Sequence, residues 1–304
     1  MTVDVRPEEG AVFDLTDRAK LRVTGADRLR YLNGQISNDL RKTTAQTAIH
    51  ACVLTAKGKI DADVFIVAHG ESFLVDVDAG IGEQLQARLD RYVIADDVTV
   101  ADVTDEWALL HLTGANVPAV EDTVITARSS RFGCVGTDIW LPRASYETAL
   151  RAIAAELSMC DAEAAELFRI EQGIPRWGWE LSGEIIPNEA GLETAAIDYA
   201  KGCYIGQEVI SRIKMSGQTN KRLCGLVAGD GGTFAEGMQL FAPDGREVGR
   251  LTSAAHSNRV GRQIGLGFLK RGYNDVGQQL EARLPEGDVS TRVMIVDLPF
   301  ARMH

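Results

Sequence analysis

The segment Lys201-Gly202-Cys203-Tyr204-Ile205-Gly206-Gln207-Glu208 concentrates more chemistry than any other stretch of this chain. A cysteine stands two residues from a lysine, with glycines at 202 and 206. In an extended chain Lys201 and Cys203 point to the same face. An ammonium there would stabilise a thiolate, and so would a helix N-terminus of the kind expected after Gly206. A thiol so placed offers nucleophilic, redox or metal chemistry. The competing reading is a buried cysteine in a tight turn, since free cysteine is among the most buried residue types. Residues 201–222 are locally basic, with Lys201, Arg212, Lys214, Lys221 and Arg222 opposed only by Glu208. Such a stretch holds an anionic small molecule or forms a solvated helix face.

Two further groups qualify as site candidates. Asp61 and Asp63 precede the apolar run Val64-Phe65-Ile66-Val67 and share a face if the strand begins there. An acid at the head of a buried strand can hydrogen-bond a ligand or handle a proton; otherwise it marks a solvent-facing strand edge. Trp177 and Trp179 flank Gly178, and in an extended chain both line one face. They form either a stacking platform for a planar ring or part of a core.

Several common chemistries lack their residues. There is no phosphate-binding Gly-x-x-x-x-Gly-Lys-Ser/Thr, no dinucleotide Gly-x-Gly-x-x-Gly between strand and helix, and no Gly-x-Ser-x-Gly elbow. The five histidines include no close pair at zinc-ligand spacing, and the five cysteines (52, 134, 160, 203, 224) include no Cys-x-x-Cys. No metal site and no disulfide framework is expected. A net charge of -11 gives no general attraction for nucleic acid or an anionic membrane. No apolar run approaches the ~20 residues that span a bilayer. The opening residues 1–10 carry Asp4, Glu8 and Glu9 and resemble neither a secretory signal nor a transit peptide, so a reducing cytoplasm is expected.

The elements that must position these residues fall into two textures. Up to about residue 217, strand-like runs alternate with helical spacing. Strands are expected at Lys20 to Thr24, Ala48 to Thr55, Asp61 to Ala68, Ser72 to Val77, Trp107 to Leu112, and around Val135 and Ile139. Lys57-Gly58 turns a hairpin. Helices are expected at Asp27 to Leu32, Ile81 to Tyr92, Asn116 to Glu121, Ala144 to Leu157 and Asp161 to Gln172, the last stopped by Gly173 and Pro175. From residue 218 helical periodicity disappears, and short strands lie between frequent glycines: Leu223 to Val227, Glu247 to Ser253, Ile264 to Leu269, Leu280 to Leu284 and Val293 to Leu298. That pattern reads as a compact β-barrel or sandwich. The expected fold is α+β, with a 1–217 region of two lobes followed by a 218–304 barrel.

The string Lys-Gly-Cys-Tyr-x-Gly-Gln-Glu at 201–208 resembles the identifying motif of the YgfZ family of folate-binding proteins, relatives of the glycine-cleavage T-protein. The resemblance extends along nearly the whole chain. Gly25-Ala26-Asp27 with Tyr31-Leu32-Asn33-Gly34-Gln35 and Asn38-Asp39 is similar to the family's opening helix and loop. Lys57-Gly58-Lys59-Ile60-Asp61-Ala62-Asp63 resembles its glycine hairpin and folate-facing aspartate, Asp63 being preferred over Asp61 because it abuts the apolar run. Glu171-Gln172-Gly173-Ile174-Pro175, Glu180 and Pro187-Asn188-Glu189-Ala190 resemble its central segment, and Val296-Asp297-Leu298-Pro299-Phe300 its close. The resemblance implies a three-lobed fold that binds tetrahydrofolate and serves assembly or repair of iron–sulfur proteins. Asp63 and Glu180 would converge to orient the pterin; Trp177, Trp179 or Tyr204 would pack against it. Arg212 falls where the family carries an arginine, Cys203 is the distinctive group, and Lys201 would tune the thiol or hold an anion. Partners would be folate and iron–sulfur client or assembly proteins. The T-protein itself typically has aspartate and phenylalanine where this chain has Cys203-Tyr204. Two rivals remain: a folate-dependent aminomethyl or methyl transferase of the T-protein type, and an interaction scaffold without ligand.

Overall fold

In the computed structural model, residues 10–114, 118, 120, 124–284 and 290–300 are described. They divide into two units, one drawn from residues 10–161 and 192–211, the other from 162–191, 212–284 and 290–300. The helix expected at Asn116 to Glu121 lies almost entirely outside the described residues.

The first unit contains two five-stranded sheets. One runs in the order Ile49–Leu54, Ile60–His69, Ser72–Val77, Ala19–Thr24, Thr99–Asp102, every pair antiparallel. Antiparallel strands need only short links. Here residues 55–59 make the first: Gly58 takes φ +73° and its N–H donates to the Thr55 carbonyl at 2.9 Å. The other sheet is ordered Ser158–Met159, Ala11–Asp14, Trp107–Thr113, Gly136–Pro142, Ile125–Ser129. Val67 and Leu74 from the first sheet pack with Trp107, Leu109, Ile125 and Trp140 from the second in one buried cluster.

Helices cover the sheets where the apolar spacing foretells them, with shifted ends. Gly82–Asp90 buries Leu85 and Leu89 but stops before Tyr92, which is exposed. Arg28–Gln35 runs through Gly34, and Tyr146–Ala154 is shorter than its expected span at both ends. Val135 is exposed rather than in a strand, and the Ile125–Ser129 strand, alternating buried and exposed, was not expected.

In the second unit, helix Ala162–Gln172 ends at Gly173, whose φ is +72° and whose hypothetical Cβ would sit 2.8 Å from Leu298. Beyond it a barrel closes in the order Lys221–Ala228, Arg262–Lys270, Glu247–Ser257, Gln239–Phe241, Gln279–Arg283, Ser290–Val296. Closure leaves no unpaired strand edge. Leu226, Leu240, Leu251, Leu269, Ala282 and Ile295 are among the side chains filling its core. The fold is thus α+β, mixed lobes followed by a closed six-stranded barrel, as the glycine-punctuated pattern implies.

Candidate functional site

The Lys201–Glu208 loop is held at both ends and exposed in the middle. Lys201 is buried, and its ammonium donates to the backbone carbonyls of Asn33, Ile36 and Asn38, each at 2.7 Å. An ammonium has three N–H donors, so the set is complete and Lys201 clamps the loop after helix Arg28–Gln35. Burial lowers its pKa to about 8, with Asp39 and Asp198 acting in the opposite direction, so the clamp is charged at neutral pH. Tyr204 is also buried, which raises its hydroxyl pKa; Tyr199, Cys52 and Asp198 add to the effect. Between these anchors Gly202 and Cys203 are exposed. Lys201 and Cys203 therefore do not share an environment as an extended chain would have them, and the ammonium is committed to carbonyl oxygens rather than to an anion.

The far end of the motif is fixed by a close backbone approach. Gly206, at φ +86°, precedes helix Gln207–Ser216, and a Cβ there would lie 2.6 Å from the Thr55 carbonyl oxygen and 3.3 Å from Gly58 Cα. A Cβ on Gly58 would in turn meet Val209 at 3.0 Å. Both glycines are needed because hairpin and helix entry touch directly. The Lys-Gly hairpin and the cysteine motif, some 150 residues apart in sequence, thus form one local structure.

That hairpin sets the register that builds the second part of the site. Cys52 lies opposite Asp63 and His50 opposite Phe65. These four side chains project to one sheet face, while Ala51, Val53, Ala62 and Val64 fill the other. Asp63 Oδ1 is 2.5 Å from His50 Nε2 and 4.0 Å from Cys52 Sγ. Burial, helped by the Asp63 charge, pushes the Cys52 thiol well up. Asp61 is instead paired with Arg88 at 3.2 Å, beside the helix Gly82–Asp90. Next to His50 opens a cavity of about 380 Å³, lined among others by Asn38, Phe65, Arg128, Ser129 and Ala195. The Ser129 hydroxyl is buried there without a hydrogen-bond partner. Cavities of ~300–1,000 Å³ suit small molecules.

Behind Phe65 lies a buried ionic cluster. Arg131 stacks 4.1 Å over the phenyl ring and bonds Asp76 at 2.6 Å and Asp138 at 2.8 Å, tying the two sheets of the unit together. Burial alone would push the Asp138 carboxyl up. Arg131 and the His111 hydrogen bond override it and bring the pKa to about 2.

Glu180, Trp177, Trp179 and Arg212 belong to the other unit. Glu180 is buried; Oε2 takes Arg169 at 3.2 Å and the Arg176 N–H at 3.0 Å, and Oε1 takes the Ser253 hydroxyl at 2.6 Å. Trp177-Gly178-Trp179 is not extended: Gly178 takes φ +84° and the segment curls so that Trp179, Glu180 and Leu181 all donate to the Arg176 carbonyl. The two indoles do not form the expected strand-like platform. Trp177 is half-buried, while Trp179 is exposed under the Arg176 guanidinium, 3.5 Å from its centroid. Arg212 is exposed on helix Gln207–Ser216. Among the described residues, no group of three or more His, Cys, Asp or Glu side chains is arranged to hold a metal ion. His50 escaped the sequence reading, although counting back from the Lys57-Gly58 turn places it near the Asp63 side of the sheet.

Residues 4–135 match the GCVT N-terminal domain and residues 221–301 the glycine cleavage T-protein C-terminal barrel domain. Fold and domains together define a T-protein-like protein. The aminomethyltransferase of Listeria monocytogenes serotype 4a (strain HCC23) is 28% identical over 97% of this chain and 87% of its own length. That of Geobacillus kaustophilus is 29% identical over 98% and 88%. The crystal structure of the glycine cleavage system aminomethyltransferase T from Bartonella henselae has the same fold, with a TM-score of 0.83 over 96% of this chain and 86% of that one at 18% identity.

Proposed function

We propose that this protein binds a reduced folate and acts on its one-carbon unit in the manner of an aminomethyltransferase. The observation that carries the reading is the similarity to aminomethyltransferases over 97–98% of this chain and 87–88% of theirs. The site is chemically suited to it. Asp63 offers a carboxylate beside a cavity with an aromatic wall at Phe65, an unpartnered hydroxyl at Ser129 and a cation at Arg128. In this reading Asp63 hydrogen-bonds the ligand near its reacting nitrogen. Glu180 has accepted three hydrogen bonds; a carboxylate offers about four acceptor sites, so it has room for one further donor. Transfer of the aminomethyl group from a methylamine-loaded carrier protein to tetrahydrofolate is the test. Tetrahydrofolate binding without transfer would remove the enzyme and leave a folate-binding protein; no binding would leave only a scaffold.

A second reading is favoured by one observation, the exposed Cys203 thiol between two buried anchors. Here folate binding supports maintenance of iron–sulfur proteins, and the thiol touches the client or its cluster. Cys203→Ala should then fail to support iron–sulfur enzymes in a cell lacking the native protein, while folate binding persists. Full support by the alanine variant would discard this reading.

A further inference from the structure

His50 is fixed more tightly than a wall of a cavity requires. Its ring lies flat on Phe65, with centroids 4.3 Å apart and an interplanar angle of 7°. Phe65 is held from beyond by Arg131, itself locked between Asp76 and Asp138. The backbone carbonyl of His50 accepts from Asn38 Nδ2 at 2.8 Å, and Asn38 also lines the cavity. With plane and backbone both set, Nε2 meets Asp63 Oδ1 at 2.5 Å. Hydrogen bonding to one ring nitrogen selects the tautomer, so the neutral ring carries its proton on Nε2 and donates it to the carboxylate.

We infer that His50 is a positioning residue for Asp63, fixing the orientation of the carboxylate beside the cavity that His50 and Phe65 line. The inference rests on the folate reading above, in which Asp63 contacts the reacting part of the ligand. A carboxylate that accepts a hydrogen bond in its charged form is favoured in that form.

The other titratable groups around the pair keep one charge state near neutral pH. The Cys52 thiol on the same oxygen is kept neutral by burial, and the Tyr204 hydroxyl is raised as well. Arg128 at the cavity and Arg131 behind Phe65 are cations throughout. Asp76 and Asp138 both sit below the usual carboxylate range, so they stay ionised. Imidazole is the side chain whose charge ordinarily changes in this range.

The test uses the full-length protein and measures aminomethyl transfer to tetrahydrofolate from acid to alkaline pH. His50→Phe keeps an aromatic ring to stack on Phe65 and removes the donor; His50→Gln restores an N–H near the Nε2 position. His50→Phe should lower kcat on the order of tenfold, the size of a lost hydrogen bond to a charged group, with KM little changed and the pH profile displaced. His50→Gln should recover much of kcat. Combined with Asp63→Asn, His50→Phe should add almost no further loss. Independent multiplication of the two effects, or an unchanged pH profile in both His50 variants, would overturn the inference. Wild-type protein that neither binds folate nor transfers would overturn the folate reading instead. In that case the pairing is read in ligand-free protein by NMR: Asp63→Asn should move the His50 ring-nitrogen resonances, and unmoved resonances would refute the pair itself.

Discussion

Replacing Lys201 with methionine separates a structural clamp from a chemical lysine. Methionine keeps much of the stem volume, so packing changes little. What goes is an ammonium whose three donors end on the carbonyls of Asn33, Ile36 and Asn38. Only the bond to Ile36 is fully buried; the other two are partly buried. A buried acceptor left unsatisfied costs about 1–3 kcal/mol, while the partly buried pair can turn to water and cost less. Removing the desolvated charge offsets part of the loss. The net expectation is a destabilisation on the order of 2–4 kcal/mol, localised to residues 33–40 and 198–206. Urea unfolding followed by residue-resolved hydrogen exchange reads both size and place. Protection should fall most at the amides of Ile205 and Asp198, which bond Gly34 and Ser37. A change under about 0.5 kcal/mol, within the range of an ordinary surface substitution, or loss of protection elsewhere, would refute the clamp.

Three further outcomes are expected. Gly206→Ala must place a Cβ 2.6 Å from the Thr55 carbonyl at φ +86°; strain of about 1–3 kcal/mol plus displacement of the hairpin should show as a lower urea midpoint. Asp138 has a pKa of about 2, against an ordinary 3.8, and Asp76 is lowered too. The unfolded chain therefore binds more protons in that interval, so the stability these carboxylates contribute is full above about pH 4 and lost as pH falls towards 2; a stability that did not decline there would contradict the cluster. Burial raises the thiols of Cys52, Cys134, Cys160 and Cys224, with Cys224 at about 11 and Cys160 at about 12, while Cys203 is exposed. Mass-spectrometric mapping after mild alkylation should find Cys203 modified first, and preferential labelling of any other cysteine would count against the loop as described.

The barrel was legible because its segments lack helical apolar spacing and are separated by turn glycines; only Gln239–Phe241, three residues with one fully buried side chain, gave too little pattern to see. The helix after Gly206 and the hairpin at Gly58 were also readable from glycine chemistry. Their mutual contact was not, because a backbone approach between distant segments leaves no period in either. Lys201 and Cys203 were placed on a common face by assuming an extended chain, and the loop instead turns one inward and one outward. Trp177 and Trp179 were misjudged in the same way, since a glycine at φ +84° breaks the alternation that the platform required. His50 needed strand register, which a single strand's pattern does not contain.

The most direct test of the proposed function is calorimetric titration of tetrahydrofolate into the full-length protein and its Asp63→Asn variant. A hydrogen bond to a charged carboxylate contributes about 1.5–3 kcal/mol, so the wild type should bind at a single site and the variant should bind at least about tenfold more weakly. Equal affinity for the two proteins would take Asp63 out of the site, and no heat of binding from the wild type would contradict folate binding altogether.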